Sequence, residues 1–144
     1  TMGLIDRLPK LFAVQAANCA PLHAAAKSGI RSPSGPDGMG WTQSGLTISG
    51  KTTLAEGIAI ATPIRGDQVI AAVIDSGGCF LTVEEDDIQS AHREIGRAGF
   101  CIEPTSAATI AAIPQACDYL PANPEIVSLF CGHGLKATEK LPIE

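Results

Sequence analysis

Short apolar runs alternate with segments of helical periodicity along most of the chain. Residues 11–16 and 79–83 are apolar runs of the length expected for buried strands. Residues 22–27, 68–75 and 84–98 carry the spacing of helices. The last of these is the clearest, because four carboxylates open it and apolar residues then recur every three or four positions, at Ile88, Ala91, Ile95 and Ala98.

The second half of the chain continues the alternation. Residues 100–102 predict a short strand, Glu103-Pro104 a break, and residues 107–113 a helix of small side chains. Residues 126–130 predict a last strand that runs into the turn Cys131-Gly132-His133-Gly134. Such alternation is typical of an α/β fold with three layers: a mostly parallel sheet with helices on both faces. Residues 54–61 fit a helix or a strand.

Several polar residues are placed by this pattern. Asn18 and Asp67 are predicted to cap helices through their side-chain oxygens, and Thr105 or Ser106 to cap the helix over 107–113. His23 and His92 fall on predicted helices, where we expect them to face solvent or the boundary of the core.

Residues 31–50 interrupt the alternation. They hold five Gly, two Pro and four Ser, which predicts a flexible insert. Residues 45–52, Gly-Leu-Thr-Ile-Ser-Gly-Lys-Thr, also match the phosphate-binding spacing G-x-x-x-x-G-K-[ST]. That motif requires a buried strand before it, and residues 37–44 are polar and rich in glycine. A nucleotide triphosphatase is therefore a minor alternative, in which Lys51 would hold phosphate.

Composition narrows the class of protein. Among 144 residues there are 15 acidic and 10 basic side chains, a net charge of −5, so nucleic acid is not an expected partner. No apolar run approaches the roughly 20 residues that span a bilayer, and residues 1–10 lack the apolar stretch of a signal peptide. We expect a soluble, cytoplasmic protein without a membrane partner.

The five cysteines also indicate a cytoplasmic protein. They are odd in number, widely spaced and without a C-x-x-C pair, which is typical of free thiols in a reducing compartment. Cys131 and His133 are the only close pair of metal-binding types, and nothing near them completes a ligand set, so no metal site is predicted.

Two polar segments follow predicted strands, where parallel sheets bind ligands. Glu103 either complements the dipole of the next helix or lines a cofactor cleft, and the residues alone leave both interpretations open. Cys131 either belongs to a simple glycine turn or acts as a nucleophile, although no His and carboxylate partners for it are apparent.

Seven segments in order carry a family resemblance. They are Gly-Leu-Ile-Asp-Arg-Leu-Pro-Lys at 3–10, Val-Gln-Ala at 14–16, Thr-Leu-Ala-Glu-Gly-Ile-Ala at 53–59, Ser-Gly-Gly at 76–78, Val-Glu-Glu-Asp-Asp-Ile at 83–88, Glu-Pro-Thr-Ser-Ala-Ala at 103–108 and Gly-His-Gly-Leu-Lys at 132–136. Together they resemble the C-terminal part of threonine synthase and its relatives among the fold-type II pyridoxal-phosphate enzymes. The resemblance covers residues 3–136 and is interrupted by the insert at 31–50.

The resemblance implies an activity and a cofactor. Threonine synthase converts O-phosphohomoserine and water to threonine and phosphate on pyridoxal phosphate. In this family a small polar side chain after the last strand faces the pyridine nitrogen, and that position falls on Cys131, where Thr or Ser is more common. Glu103 falls on the glutamate that lines the cofactor cleft. Because dehydratase-like relatives also carry Cys there, a threonine or serine dehydratase is an alternative, and a non-catalytic α/β binding domain is another.

Two family features are absent from this sequence. It contains no Ser-x-Lys-Asp pattern with the Schiff-base lysine and no Gly- and Asn-rich phosphate loop, so no catalytic residue is assigned. The resemblance therefore predicts a fragment whose partner is the missing N-terminal part, inactive alone and binding pyridoxal phosphate weakly or not at all. A truncated sheet leaves an open edge, which predicts a homo-oligomer.

Overall fold

The structure, a computed structural model, describes residues 5–29 and 52–140. The expected insert at 31–50 lies outside the described residues. So does the phosphate-loop-like motif, apart from Thr52.

The sheet among the described residues consists of two parallel strands. β1 is Phe12–Ala16 and β2 is Cys79–Val83, paired in register from Phe12 opposite Cys79 to Ala16 opposite Val83. Both strands coincide with the predicted apolar runs. Gly78 precedes β2 at a point where any Cβ would collide with the backbone of Leu11, so a glycine is needed for the two chains to approach here.

Helices cover both faces of this sheet, as the alternation predicts. On one face lie α1, Pro21–Lys27, and α2, Gly66–Asp75. On the other lie α3, Glu85–Arg97, and α4, Pro104–Ala111, followed by the short α5, Ile113–Cys117. Side chains of successive β2 residues point to opposite faces. Phe80 therefore packs with the first helix pair, and Leu81 and Val83 pack with the second.

Small side chains bring α3 and α4 together. Ile88 on α3 is fully buried in one cluster with Ala107 and Ala108 of α4, which are also fully buried. Alanines let the helix axes approach closely, so the isoleucine packs against backbone as well as side chains. Burial of such an isoleucine contributes about 2 kcal/mol.

The predicted helix caps are wrong at each of the three sites. Arg65 holds the N-cap position of α2, so Asp67 lies inside its first turn. Helix α1 begins at Pro21 after Ala20, and Asn18 lies outside it. Helix α4 begins at Pro104 after Glu103, and Ser106 lies inside it. In α1 and α4 proline sets the first turn, because its fixed φ suits a helix start and its missing N–H is not needed there.

Three further segments depart from prediction. The ambiguous stretch 54–61 forms a single 3-10 turn, Glu56–Ile58. The predicted strand at 100–102 is reduced to one antiparallel bridge, Ile102 opposite His133. The strand predicted at 126–130 is wrong, because no described residue pairs with that segment. A 3-10 segment follows at Gly134–Lys140, broken at Ala137.

Residues 126–130 nevertheless keep the two-residue period of a strand. Val127 is 83% exposed and Leu129 76%, whereas the Ser128 hydroxyl lies 2.7 Å from the Thr109 hydroxyl of α4. Phe130 stacks edge-on with Phe100, with ring centroids 5.7 Å apart. We call the exposed set the C-terminal apolar surface; it consists of Phe100, Val127, Leu129, Phe130 and Leu135.

The described helices are all too short or too polar to cross a membrane.

Candidate functional site

The candidate site lies where α4 begins. Glu103 occupies the N-cap position of this helix with extended backbone (φ −79°, ψ 157°), and Pro104 is the first helical residue. Extended backbone is favoured for a residue before proline, because the proline ring clashes with a helical neighbour. The Glu103 side chain is therefore presented at the end of the 101–103 segment, half-buried.

Two backbone hydrogen bonds bring the glycine turn to this point. The Glu103 N–H donates to the Gly132 carbonyl at 3.0 Å, and the Gly134 N–H donates to the Cys101 carbonyl at 3.0 Å. We call this pair the strand-end clamp. It places Cys131 beside Glu103 although 28 residues separate them in sequence.

Three polar side chains meet there, and we call Glu103, Ser106 and Cys131 the cysteine cluster. The Cys131 Sγ lies 3.7 Å from Glu103 Oε1 and 3.6 Å from the Ser106 hydroxyl. The Ser106 hydroxyl also accepts a hydrogen bond from the Cys131 N–H at 3.2 Å. Both candidate residues from the sequence, Glu103 and Cys131, are thus brought together with a carboxylate next to the thiol.

Ser106 was missed as a site residue. It is 1% exposed and lies one turn into α4. Its predicted role was a helix cap. The signal that identifies it is its three-residue distance from Glu103, because residues three apart lie on the same face of a helix. Its hydroxyl therefore orients Cys131 instead of capping the start of a helix.

Gly132 makes the contact between the two segments possible. A Cβ built at this position would run into the Glu103 carboxyl group. A glycine is thus required for the two segments to approach this closely. Any larger residue would displace the Glu103 side chain from Cys131.

The 3-10 turn at Glu56–Ile58 lies against the same end of α4. The Gly57 N–H donates to the Thr105 hydroxyl at 3.1 Å, and a Cβ on Gly57 would press against that side chain. Glu56 forms an ion pair with Lys140, whose side chain is only 16% exposed. Residues 56–58 are therefore tied to the start of α4 through Thr105 and to the end of the described chain through Lys140.

A second polar network lies at the ends of β1 and β2. The Glu85 carboxylate accepts hydrogen bonds from the Leu54 N–H at 2.8 Å and from the Asn18 amide at 3.2 Å. The Asn18 amide also donates to the Thr52 carbonyl at 2.9 Å. Asn18, predicted as a helix cap, instead ties the chain after β1 to α3 and to the segment that leads to the 3-10 turn.

His92 differs from its prediction. It is 5% exposed rather than solvent-facing, and its Nε2 lies 2.7 Å from the Ile102 carbonyl oxygen. His23, on α1, is half-buried, in agreement with a boundary position. The helical period alone could not separate these cases, because His92 neighbours the apolar stripe of α3.

The three side chains of the cysteine cluster are all hydrogen-bonding groups. A thiol is a weak donor and acceptor, a serine hydroxyl does both, and a carboxylate accepts when ionised. In the described part of the chain no three His, Cys, Asp or Glu side chains are grouped to hold a metal ion.

Comparison with known proteins gives consistent results. A family model described as "Pyridoxal-phosphate dependent enzyme" matches residues 2–132. Threonine synthase of Mycobacterium leprae is 32% identical over 137 residues, which cover 93% of this chain and 32% of that protein. Threonine synthase 2, chloroplastic, of Arabidopsis thaliana is 29% identical over 140 residues, 96% of this chain and 25% of that protein.

A solved structure supports the fold. The crystal structure of a threonine deaminase, its source abbreviated T.th., superposes with a TM-score of 0.52 at 18% identity, covering 81% of this chain and 40% of that one. The chain spans about a third or less of the length of the two threonine synthases named above. With nearly its whole length matched by the family model, the chain belongs to the pyridoxal-phosphate-dependent enzymes.

Proposed function

We propose that this chain is the C-terminal part of a threonine synthase, which converts O-phosphohomoserine and water to threonine and phosphate. One observation carries the proposal: Cys131, at the position that the resemblance assigns to the pyridine nitrogen, lies in a polar cluster with Glu103 and Ser106. The similarity to several threonine synthases over more than nine-tenths of the chain favours this reaction.

The residues of the cluster fit one edge of pyridoxal phosphate. The exposed Cys131 thiol offers a hydrogen-bonding group for a ring nitrogen. The buried Ser106 hydroxyl and the Glu103 carboxylate support it, at 3.6 Å and 3.7 Å from the sulfur. No lysine of the described ranges belongs to this cluster; Lys140, the lysine tied to the neighbouring turn, is engaged by Glu56. The chain thus fits the ring edge of the cofactor and offers no fixed cation for its phosphate group within the cluster.

Each residue of the cluster has a separate task in the proposed mechanism. When bound, pyridoxal phosphate supplies the electron sink for elimination and water addition. Cys131 would hold the ring nitrogen through its sulfur, and Ser106 orients Cys131 by accepting its backbone N–H. Glu103 accepts the thiol hydrogen, so the sulfur would act as the acceptor for a protonated ring nitrogen. A thiol is a weaker hydrogen-bonding partner than the hydroxyl usual at this position in the family, so the ring nitrogen would be held less firmly.

The anchoring lysine and the phosphate clamp come from elsewhere in the proposed enzyme. This sequence contains no Ser-x-Lys-Asp pattern. We therefore expect the chain alone to lack threonine synthase activity and to bind pyridoxal phosphate weakly or not at all. Equilibrium dialysis with the cofactor tests this, followed by borohydride reduction and mass spectrometry. A reduced cofactor found on a lysine of this chain at stoichiometric yield would contradict the expectation.

The proposed partner is the rest of the enzyme, about two-thirds to three-quarters of the length of the two relatives. The C-terminal apolar surface supports this, since an exposed apolar patch with unpaired backbone beside it is typical of an interface. In the absence of that partner the same surface and the open sheet edge favour self-association. Light scattering at micromolar concentration measures it, and a monodisperse monomer would argue against the homo-oligomer.

The alternative reaction is that of a threonine or serine dehydratase. Cys131 favours it, because dehydratase-like relatives carry Cys at the position where threonine synthases more often have Thr or Ser. The complete enzyme should be assayed with O-phosphohomoserine, threonine and serine in parallel. Turnover of O-phosphohomoserine alone supports the synthase, and release of ammonia from threonine or serine supports the dehydratase. In the synthase case we place the enzyme in threonine biosynthesis in the cytoplasm.

A further inference from the structure

The buried histidine on α3 contacts the segment that carries Glu103. His92 is 5% exposed, and its Nε2 lies 2.7 Å from the Ile102 carbonyl oxygen, with Ile102 itself 4% exposed. A carbonyl oxygen only accepts, so Nε2 carries the hydrogen and donates. Because the bond is buried, its loss would leave a carbonyl without a partner, which costs more than the bond itself contributes.

The direction of the Ile102 carbonyl explains why it needs this partner. In the antiparallel bridge between Ile102 and His133, the two hydrogen bonds are made by flanking residues, Glu103 with Gly132 and Gly134 with Cys101. In such a pair the bridging residue's own N–H and C=O point away from the partner segment. The strand-end clamp therefore leaves the Ile102 carbonyl pointing outwards, and His92 supplies the donor that a further strand would otherwise provide.

We infer that His92 is a positioning residue for the cysteine cluster. It fixes the 101–103 segment from the side opposite the glycine turn, so that Glu103 starts α4 with its carboxylate against Cys131. The significance for catalysis rests on the proposed function of the cluster, whereas the hydrogen bond and its mechanical role are independent of it. If His92 only filled space in the core, its replacement by leucine would lower the stability of all parts of the chain alike.

The position of the ring hydrogen gives a test that needs no variant. Long-range proton–nitrogen NMR of the imidazole groups in the wild-type chain should show a hydrogen on Nε2 of His92. His23 and His133 are the internal comparison. A His92 ring with no hydrogen on Nε2 would overturn the inference, because Nε2 could then not donate to Ile102.

Amide hydrogen exchange separates positioning from global stability. The probes are the Glu103 and Gly134 amides, which form the strand-end clamp. The references are the Ala17 and Gly78 amides, which lie at the two ends of the sheet. Ala17 donates to the carbonyl of Val83 on β2, and Gly78 donates to the carbonyl of Val73 on α2. In His92→Leu we expect the probe amides to exchange at least about fivefold faster, with reference amides within about twofold, since a lost buried bond acts locally.

His92→Gln is the matched variant, because its side-chain amide retains a donor. We expect it to keep the probe amides within about twofold of wild type. Equal acceleration of probes and references in His92→Leu would show a purely structural role and overturn the inference. Unchanged probes, or failure of the glutamine to rescue them, would overturn it as well. Failure of the complete enzyme to bind cofactor would count against the proposed function alone, since none of these measurements uses cofactor.

Discussion

The two-stranded centre and the C-terminal segment have similar apolar sequences and opposite environments. In the centre, β1 and β2 pair in register and helices cover both faces, so that Ile70 and Ile88 are fully buried. In the segment at 126–130 the same alternation leaves Val127 and Leu129 largely exposed. An apolar period thus specifies which side chains face a neighbour, and the rest of the fold decides whether that neighbour is present.

The contrast between these two regions predicts its largest difference in stability when one apolar side chain of each region is truncated to alanine. Ile88→Ala removes a fully buried side chain from the core between the sheet and α3, and should lower the free energy of unfolding by about 3 kcal/mol. Leu129→Ala, at 76% exposure, should change it by less than about 0.5 kcal/mol. Urea denaturation of both variants measures this. Similar losses for the two would mean that residues 126–130 are packed as firmly as the centre.

Two glycine substitutions within the centre compare a crowded position with an open one. Gly78→Ala forces a Cβ into the Leu11 backbone and should cost about 2 kcal/mol, because the clash is with backbone atoms and not with a flexible side chain. Gly96→Ala is the control: it lies in α3 with nothing within 4 Å of the new Cβ, and should stabilise by about 0.5 kcal/mol. Thermal unfolding ranks the two. A neutral Gly78→Ala would show that the strands do not approach as described.

Association is the expected property of the C-terminal apolar surface. Replacing Val127 and Leu129 together with lysine should weaken self-association of the chain by about tenfold, since charges are poorly tolerated in an apolar interface. Sedimentation equilibrium provides the dissociation constant. The double lysine variant of Ala71 and Ala72, exposed on α2, is the control. Equal weakening by both pairs would show that net charge, and not this surface, governs association.

The smallest expected effect is a dependence of the free energy of unfolding on pH, caused by Cys19, a buried residue that follows β1. Burial raises the pKa of the Cys19 thiol above its ordinary value of 9.0. The unfolded chain therefore loses this proton at lower pH than the folded one, and stability falls as the pH rises above 9.0. Cys19→Ala should flatten that part of the profile, measured as urea midpoints at alkaline pH. A profile with an unchanged slope would exclude Cys19 as the source of the pH dependence. Cys79 would then be the source, since burial raises its pKa as well.

The fold was predictable where each apolar run finds a partner in the folded chain. Residues 11–16 and 79–83 give strands almost at the predicted bounds, because they pair with each other and helices cover both of their faces. The 126–130 run has the same local pattern but no strand partner among the described residues. The side-chain caps predicted for α1 and α4 were wrong for a different reason: a proline at the first helical position sets the start of each helix.

The candidate site was predictable in part. Glu103 and Cys131 follow predicted strand ends, and the family resemblance pointed to both. Their proximity depends on the backbone pairing of two segments far apart in sequence, which no local pattern reveals. His92 was missed because its partner is a backbone carbonyl, and backbone partners leave no signature in the order of side chains.

The central claim is that Cys131 faces the ring nitrogen of pyridoxal phosphate in the complete enzyme. Its most direct test is nitrogen NMR of the enzyme loaded with cofactor labelled at the pyridine nitrogen, comparing wild type with Cys131→Ala and Cys131→Ser. We predict that the nitrogen resonance moves in the alanine variant and stays close to wild type in the serine variant, which keeps a hydrogen-bonding group. A resonance unchanged in the alanine variant would contradict the claim.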